Sequence, residues 1–145
     1  MRVVISRVKN AHVDVEGKTV GKCDQGLLVL SCFTEGDGQP EIEYLAKKCA
    51  NLRIFDDEEG VMNKSIMDIG GNILSISQFT LYADAQKGNR PSYFKALGGE
   101  ESIKLYDAFN QELNKYVHTE TGVFGADMQI TAHHDGPITI IIDSK

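Results

Sequence analysis

Apolar and polar residues alternate near the start of the chain, at Val3 and Ile5 and again at Val13 and Val15, and Glu16-Gly17-Lys18 supplies a turn after them. Period-two alternation closed by turn residues is a hairpin pattern, and the continuous apolar run from Leu27 to Phe33 reads as the buried strand it feeds. From Glu41 to Leu52 the period changes. Ile42, Leu45, Ala46, Cys49 and Leu52 recur at helical spacing behind Pro40, which suits a first turn because a helix leaves that N–H unpartnered anyway. Ile73 to Phe79 returns to a strand pattern after the turn Gly70-Gly71-Asn72, and Lys87 to Ser92 is a polar loop carrying Gly88 and Pro91. A second helix is predicted over Glu101 to Val117, with Ile103, Tyr106, Asn110, Leu113 and Val117 on one face and Glu100 and Glu101 at its positive end. Two strands close the chain, Met128 to Ala132 and Ile138 to Ile142, separated by His133-His134-Asp135-Gly136-Pro137. Strands outnumber helices and several join through short turns, which predicts an α+β fold with a mainly antiparallel sheet and helices on one side.

With 145 residues, 41% hydrophobic and 25% charged, the chain has the size and composition of a single globular domain, residues 1–145. No stretch is rich in Pro, Ser or Gln, and no repeat appears. The longest apolar runs, Leu27 to Leu30 and Ile138 to Ile142, fall far short of the about 20 residues of a membrane helix, so no membrane partner is expected. Arg2 and Arg7 interrupt the N-terminal segment too early for a signal peptide, and the expected location is cytoplasmic. Cys23, Cys32 and Cys49 are odd in number and form no close pair, so they are read as reduced core residues. The formal charge of −6 counts against a broad nucleic-acid footprint, which usually makes a domain basic.

Chemistry can sit at few places. Ser77-Gln78-Phe79-Thr80-Leu81 ends a predicted buried strand, putting two hydroxyls, an amide and backbone N–H groups where a sheet gives way to a loop. No His or Asp adjoins Thr80 in sequence to act as its base, and Ser and Thr are ordinary residues at strand ends. Gly136-Pro137 is either a plain turn or a place where another molecule comes close to the backbone. His133 and His134 are neighbours on a strand and point to opposite faces, so no metal site is expected. Lys87, Arg90 and Lys95 form the one basic cluster near a candidate site, either a solvated loop or a phosphate clamp. No phosphate-binding glycine fingerprint, paired-histidine zinc motif or nucleophile elbow occurs.

Taken together, Ser77-Gln78-Phe79-Thr80-Leu81, Lys87-Gly88-Asn89-Arg90-Pro91-Ser92, Thr121-Gly122 with Phe124-Gly125-Ala126-Asp127-Met128, and Asp135-Gly136-Pro137-Ile138-Thr139 resemble the ordered signature segments of the D-aminoacyl-tRNA deacylases. The resemblance extends to Arg7-Val8, Gly26 to Leu30, Leu52-Arg53-Ile54-Phe55 and Met62-Asn63, and so covers essentially the whole chain. The family usually carries asparagine where this chain has His134, and often valine where it has Ile138.

The resemblance implies a homodimeric, barrel-like enzyme that needs no cofactor and hydrolyses the ester joining a D-amino acid to the 3′ end of tRNA. Ser77, Gln78, Phe79 and Thr80 would form the catalytic strand end, with Phe124, Ala126 and Met128 walling the pocket. Gly136 and Pro137, joined by a cis bond, would enter the partner's pocket and exclude L side chains, braced by Arg7. Lys87, Arg90 and Lys95 would hold the tRNA end. Glycyl-tRNA, being achiral, would not be excluded. Two other readings compete: a non-catalytic module that binds RNA 3′ ends, and a related proofreading deacylase acting on L-aminoacyl-tRNA.

Overall fold

A computed structural model describes residues 1–145. In chain order its elements are β1 (Arg2–Val15), β2 (Lys18–Cys23), β3 (Gly26–Cys32), α1 (Gln39–Asn51), the short strands β4 (Phe55–Asp56) and β5 (Met62–Lys64), β6 (Asn72–Ser77), a 3-10 turn (Phe79–Tyr82), α2 (Gly99–Asn114), β7 (Thr119–Thr121) and β8 (Gln129–Asp143). β1 organises the sheet. Along one edge its first half pairs antiparallel with β3, from Arg2↔Cys32 to Val8↔Gly26, and its second half pairs with β2, from Ala11↔Cys23 to Val15↔Lys18. The other edge pairs with β8 from Arg2↔Asp143 to Asp14↔Gln129.

Two further pairings are parallel, β3 with β6 and β6 with β7. The sheet thus remains antiparallel around β1, while the strands reached through the helices return parallel, as a crossover connection requires. β7 comes back beside β2, where the Lys22 N–H donates to a Glu120 carboxylate oxygen at 3.1 Å. The sheet is nearly closed into a barrel.

Residues directly opposite one another share a face, so Val3, Ile5, Leu27 and Val29 all look towards the helices. There they pack against Ile42, Leu45, Ala46 and Cys49 of α1 and against Tyr106, Phe109 and Leu113 of α2. Val8, Leu28, Leu74 and Ile76 fill the barrel together with Ala11, Val13 and Cys23. Val8 and Ala11 lie three positions apart yet share the interior, because the register of β1 against β8 shifts between Val8 and Asn10. All three cysteines are free and buried. No helix is long and apolar enough to cross a membrane.

Both helices stand where the spacing predicted them. α1 begins at Gln39, two residues before the predicted Glu41, with the Gly38 N–H donating to the Glu41 carboxylate at 2.9 Å. α2 starts at Gly99 and stops at Asn114, short of the predicted Val117. The final segment differs more. Instead of two strands separated by a loop, β8 runs unbroken through His133 to Pro137. Ser6 pairs with Thr139 and Val8 with His134, so β8 spends four residues, Asp135 to Ile138, where β1 spends only Arg7. Glycine and proline here make a bulge within a strand rather than the end of one.

Candidate active site

β6 delivers Ser77 to the rim of the barrel, and the Gln78 N–H extends the pairing one step by donating to Ser31 O at 2.8 Å. The chain then tightens into the 3-10 turn, whose bonds run from Leu81 N–H to Gln78 O and from Ala83 N–H to Thr80 O. The first bond belongs to Leu81, which leaves the N–H groups of Phe79 and Thr80 outside the i→i+3 pattern. The buried Cys32 thiol donates to the Phe79 carbonyl at 3.2 Å, and burial pushes that thiol up to about 11, so it stays a neutral donor. Arg2 fixes the far end of the turn through the Leu81 carbonyl at 3.0 Å and stacks over the Tyr82 ring at 5.0 Å.

Beside this turn opens a cavity of about 270 Å³. Ser77, Gln78 and Phe79 line one side, and Phe124, Ala126 and Met128 line the other, so six residues expected from the sequence meet at one place. Ile76, Gly125 and Ile130 also line it. Their apolar or glycine character carries no chemical signal: Ile76 reaches the cavity from β6, Ile130 from β8 and Gly125 from the loop between β7 and β8. Phe124 leans on Tyr106 with ring centres 5.8 Å apart, and the Tyr106 hydroxyl donates to the Ser75 carbonyl at 2.7 Å. Burial raises the Tyr106 phenol above its ordinary range and keeps it a donor. α2 thereby supports the pocket wall from behind.

Thr80 does not line the cavity. Its hydroxyl oxygen accepts a hydrogen bond from the Gln78 amide, and no base lies within hydrogen-bonding reach of it. An amide donor cannot take a proton, so the arrangement orients Thr80 without activating it.

Gly136 and Pro137 sit elsewhere. They are exposed, do not line the cavity, and form the centre of the β8 bulge, where their peptide bond is cis and Gly136 has φ +121. A Cβ at Gly136 would lie 2.9 Å from the Ile138 side chain, 3.0 Å from the Ile138 backbone N and 3.2 Å from the Arg7 guanidinium. Arg7 lies beneath the bulge, 7% exposed, and donates to the Ile54 carbonyl at 2.7 Å and to the Asp135 carbonyl at 3.3 Å. The carboxylates of Asp135 and Asp56 lie 3.3 and 3.7 Å from its guanidinium. Arg7 thus ties the loop before β4 to the bulge with one planar fork.

Lys87 and Arg90 are exposed on a loop pinned at its base by reciprocal 2.8 Å backbone bonds between Asp84 and Ser92. Lys95 follows on the same surface, and the edge-on packing of Phe79 and Tyr93, 5.1 Å between ring centres, ties the loop to the cavity rim.

A family model described as D-Tyr-tRNA(Tyr) deacylase matches residues 4–143, spanning the strand end, both walls and the bulge. The chain belongs to this deacylase family. A D-aminoacyl-tRNA deacylase from Thermosipho africanus is 53% identical over all of this chain and 98% of its own length. One from Bacteroides thetaiotaomicron is 52% identical over the same shares. Among solved structures, one titled c-Myc DNA Unwinding Element Binding Protein superposes with a TM-score of 0.94 at 38% identity, covering 100% of this chain and 99% of that one. A probable eukaryotic D-amino acid tRNA deacylase superposes at 0.82 with 17% identity over 97% of both chains, a likeness of fold.

Proposed function

We propose that this deacylase-family protein is an ester hydrolase that frees tRNA from a D-amino acid attached at its 3′ end. The observation that carries this reading is the cavity itself. Six signature residues converge on it, and it adjoins a turn with two backbone N–H groups outside the turn's own bonds. Water attacks the ester carbonyl, and the N–H groups of Phe79 and Thr80 stabilise the oxyanion that forms. One such donor contributes about 10²- to 10³-fold in rate, so a site without an activated side chain can be catalytic. The substrate's 2′-hydroxyl assists, Gln78 positions, and Thr80 holds Gln78.

The protein acts as a homodimer of single-domain subunits, residues 1–145, in the cytoplasm. β8 supports this, because it pairs with β1 on one edge only, over fifteen residues, with Ile130 and Ile141 exposed. Long unpaired edges of this kind are usually covered. The bulge is absent from its own chain's cavity, which suits a Gly136-Pro137 turn that serves the partner's pocket and blocks L side chains there. Glycyl-tRNA, lacking a side chain, passes the same filter. Lys87, Arg90 and Lys95 take the phosphates of the tRNA end.

Separate incubation with D-tyrosyl-tRNA and L-tyrosyl-tRNA tests the reading: cleavage of the D ester alone is expected, and equal cleavage of both sinks it. The cavity's lack of any side-chain base favours one other reading, a module that binds RNA 3′ ends without turnover. Retention of a charged tRNA end at unchanged acylation would select that alternative.

A further inference from the structure

Three adjoining clefts, of about 290, 390 and 270 Å³, meet beside the loop that follows the 3-10 turn, and Lys95 lines all three. Phe94 lines two of them with its side chain 95% exposed, in a chain that buries Phe33 and Phe109 completely or nearly so. The exposure is built into a fixed backbone. Asp84 and Ser92 exchange two backbone bonds before Phe94, and after it the Lys95 carbonyl accepts from the Thr34 hydroxyl at 2.6 Å while the Leu97 N–H donates to Phe33 O at 2.9 Å.

An isolated exposed phenyl ring would mean little. This one follows directly in sequence on a pair of rings at the cavity rim: Phe79 is 54% exposed, Tyr93 packs edge-on against it at 42%, and Phe94 is the residue after Tyr93. Lys87, Arg90 and Lys95 have no carboxylate within ion-pair distance, although Glu35, Asp84 and Glu101 also line the clefts. Asp84 is engaged in accepting the Gln86 N–H at 3.0 Å. Exposed aromatic faces interleaved with unpaired cations are how proteins hold single-stranded nucleic acid, the rings stacking on bases and the cations meeting phosphates.

We propose that Phe94 and Lys95 form a nucleotide subsite outside the catalytic cavity, in which Phe94 stacks on a base preceding the terminal adenosine of the tRNA 3′ end and Lys95 holds the adjoining phosphate. This rests on the function proposed above for the cavity, which takes the terminal adenosine.

The test is direct binding of an uncharged RNA hairpin with a single-stranded CCA end, followed by fluorescence anisotropy. Phe94→Ala weakens binding roughly 5- to 100-fold, and Phe94→Trp, which keeps a stacking face, stays within about threefold of the parent protein. A hairpin trimmed of its CCA end binds with no dependence on residue 94. Equal affinity of Phe94→Ala and the parent for the CCA hairpin overturns the subsite. A change of Phe94→Ala in sedimentation, with RNA binding intact, also overturns it and assigns the ring to a contact with a second copy of the chain. Because the RNA is uncharged, these outcomes are read separately from any hydrolysis of D-tyrosyl-tRNA, so failure of the subsite and failure of the enzymatic reading are distinct results.

Discussion

The cavity beside Ser77 and the bulge around Gly136 are built on opposite plans, although both hang from the same sheet. The cavity has walls of Phe124, Ala126 and Met128 and adjoins a turn whose Phe79 and Thr80 N–H groups lie outside its i→i+3 bonds, with no charged side chain among its lining residues. Its tolerances are those of side-chain packing. The bulge presents backbone to solvent and is held by one buried guanidinium that reaches two carbonyls and two carboxylates. Its tolerances are those of a polar network, where one missing partner leaves the others unsatisfied. On the proposed function, a site for an ester needs room and a place for developing charge, whereas a steric filter needs a backbone that does not yield.

The same substitution in the two regions should therefore give unequal results, and this is the largest effect expected. At Gly122, beside the cavity, a Cβ would meet Met128 Sδ at 2.6 Å and Ile76 Cδ1 at 3.0 Å, both ends of side chains that can turn away. At Gly136 the neighbours include the Ile138 backbone N, and φ is +121, where L residues are strained. Gly136→Ala is expected to lower kcat/KM for D-tyrosyl-tRNA by roughly a hundredfold, with strain of about 1–3 kcal/mol in unfolding. Gly122→Ala should cost about 1 kcal/mol and retain most activity. Equal losses in both variants would show that the two regions do not differ in rigidity.

Arg7 gives the next effect, in stability. Arg7→Ala leaves the Ile54 carbonyl without its donor and opens a void beneath the bulge. Urea unfolding should report a loss of about 2–4 kcal/mol. Arg7→Lys should recover less than half of it, because an ammonium cannot span the Ile54 and Asp135 carbonyls as a planar fork does. Full recovery with lysine would mean that charge alone, rather than two-point bonding, holds the bulge.

The contrast also explains what could be read without coordinates. Ile42, Leu45, Ala46 and Cys49 announced α1 because a helix buries one stripe, a property the spacing displays directly. The cavity residues were legible as motifs, and the structure brings Ser77, Gln78, Phe79, Phe124, Ala126 and Met128 to one wall or the other. The continuity of β8 was not legible. Gly-Pro ordinarily stops a strand, and only pairing with Ser6 on one side and Val8 on the other carries β8 across it. β4 and β5 have two and three residues, and β7 has three, too short for any period to emerge. Parallel pairing of β3 with β6 depends on where α1 returns the chain, which no local signal encodes.

Thr80→Ala should produce a smaller change. The hydroxyl accepts from Gln78 and meets no base, so its removal frees the amide without removing a nucleophile. Single-turnover hydrolysis of D-tyrosyl-tRNA is expected to slow by less than about tenfold, against roughly a millionfold when a true nucleophile is deleted. Abolished turnover with intact tRNA binding would assign the attack to the hydroxyl and end the backbone-amide account of the cavity.

The smallest effect separates the regions by pH. Cys32 lies under the 3-10 turn, and burial pushes its thiol from 9.0 to about 11. In the unfolded chain the thiol ionises near 9.0, while in the folded protein it remains protonated and bonded to the Phe79 carbonyl. Between those values the unfolded state binds fewer protons, so stability declines as pH rises. The contribution is fully present below pH 9.0 and is lost as pH climbs through about 11. Cys32→Ser keeps a donor to Phe79 but does not ionise in this window, so its unfolding free energy should fall less steeply than the parent's over that range. The distance from Cys32 to the bulge network makes Arg7→Ala additive with Cys32→Ser within about 0.5 kcal/mol. A Cys32→Ser variant with the parent's alkaline slope would remove the buried thiol from the forces that hold the turn.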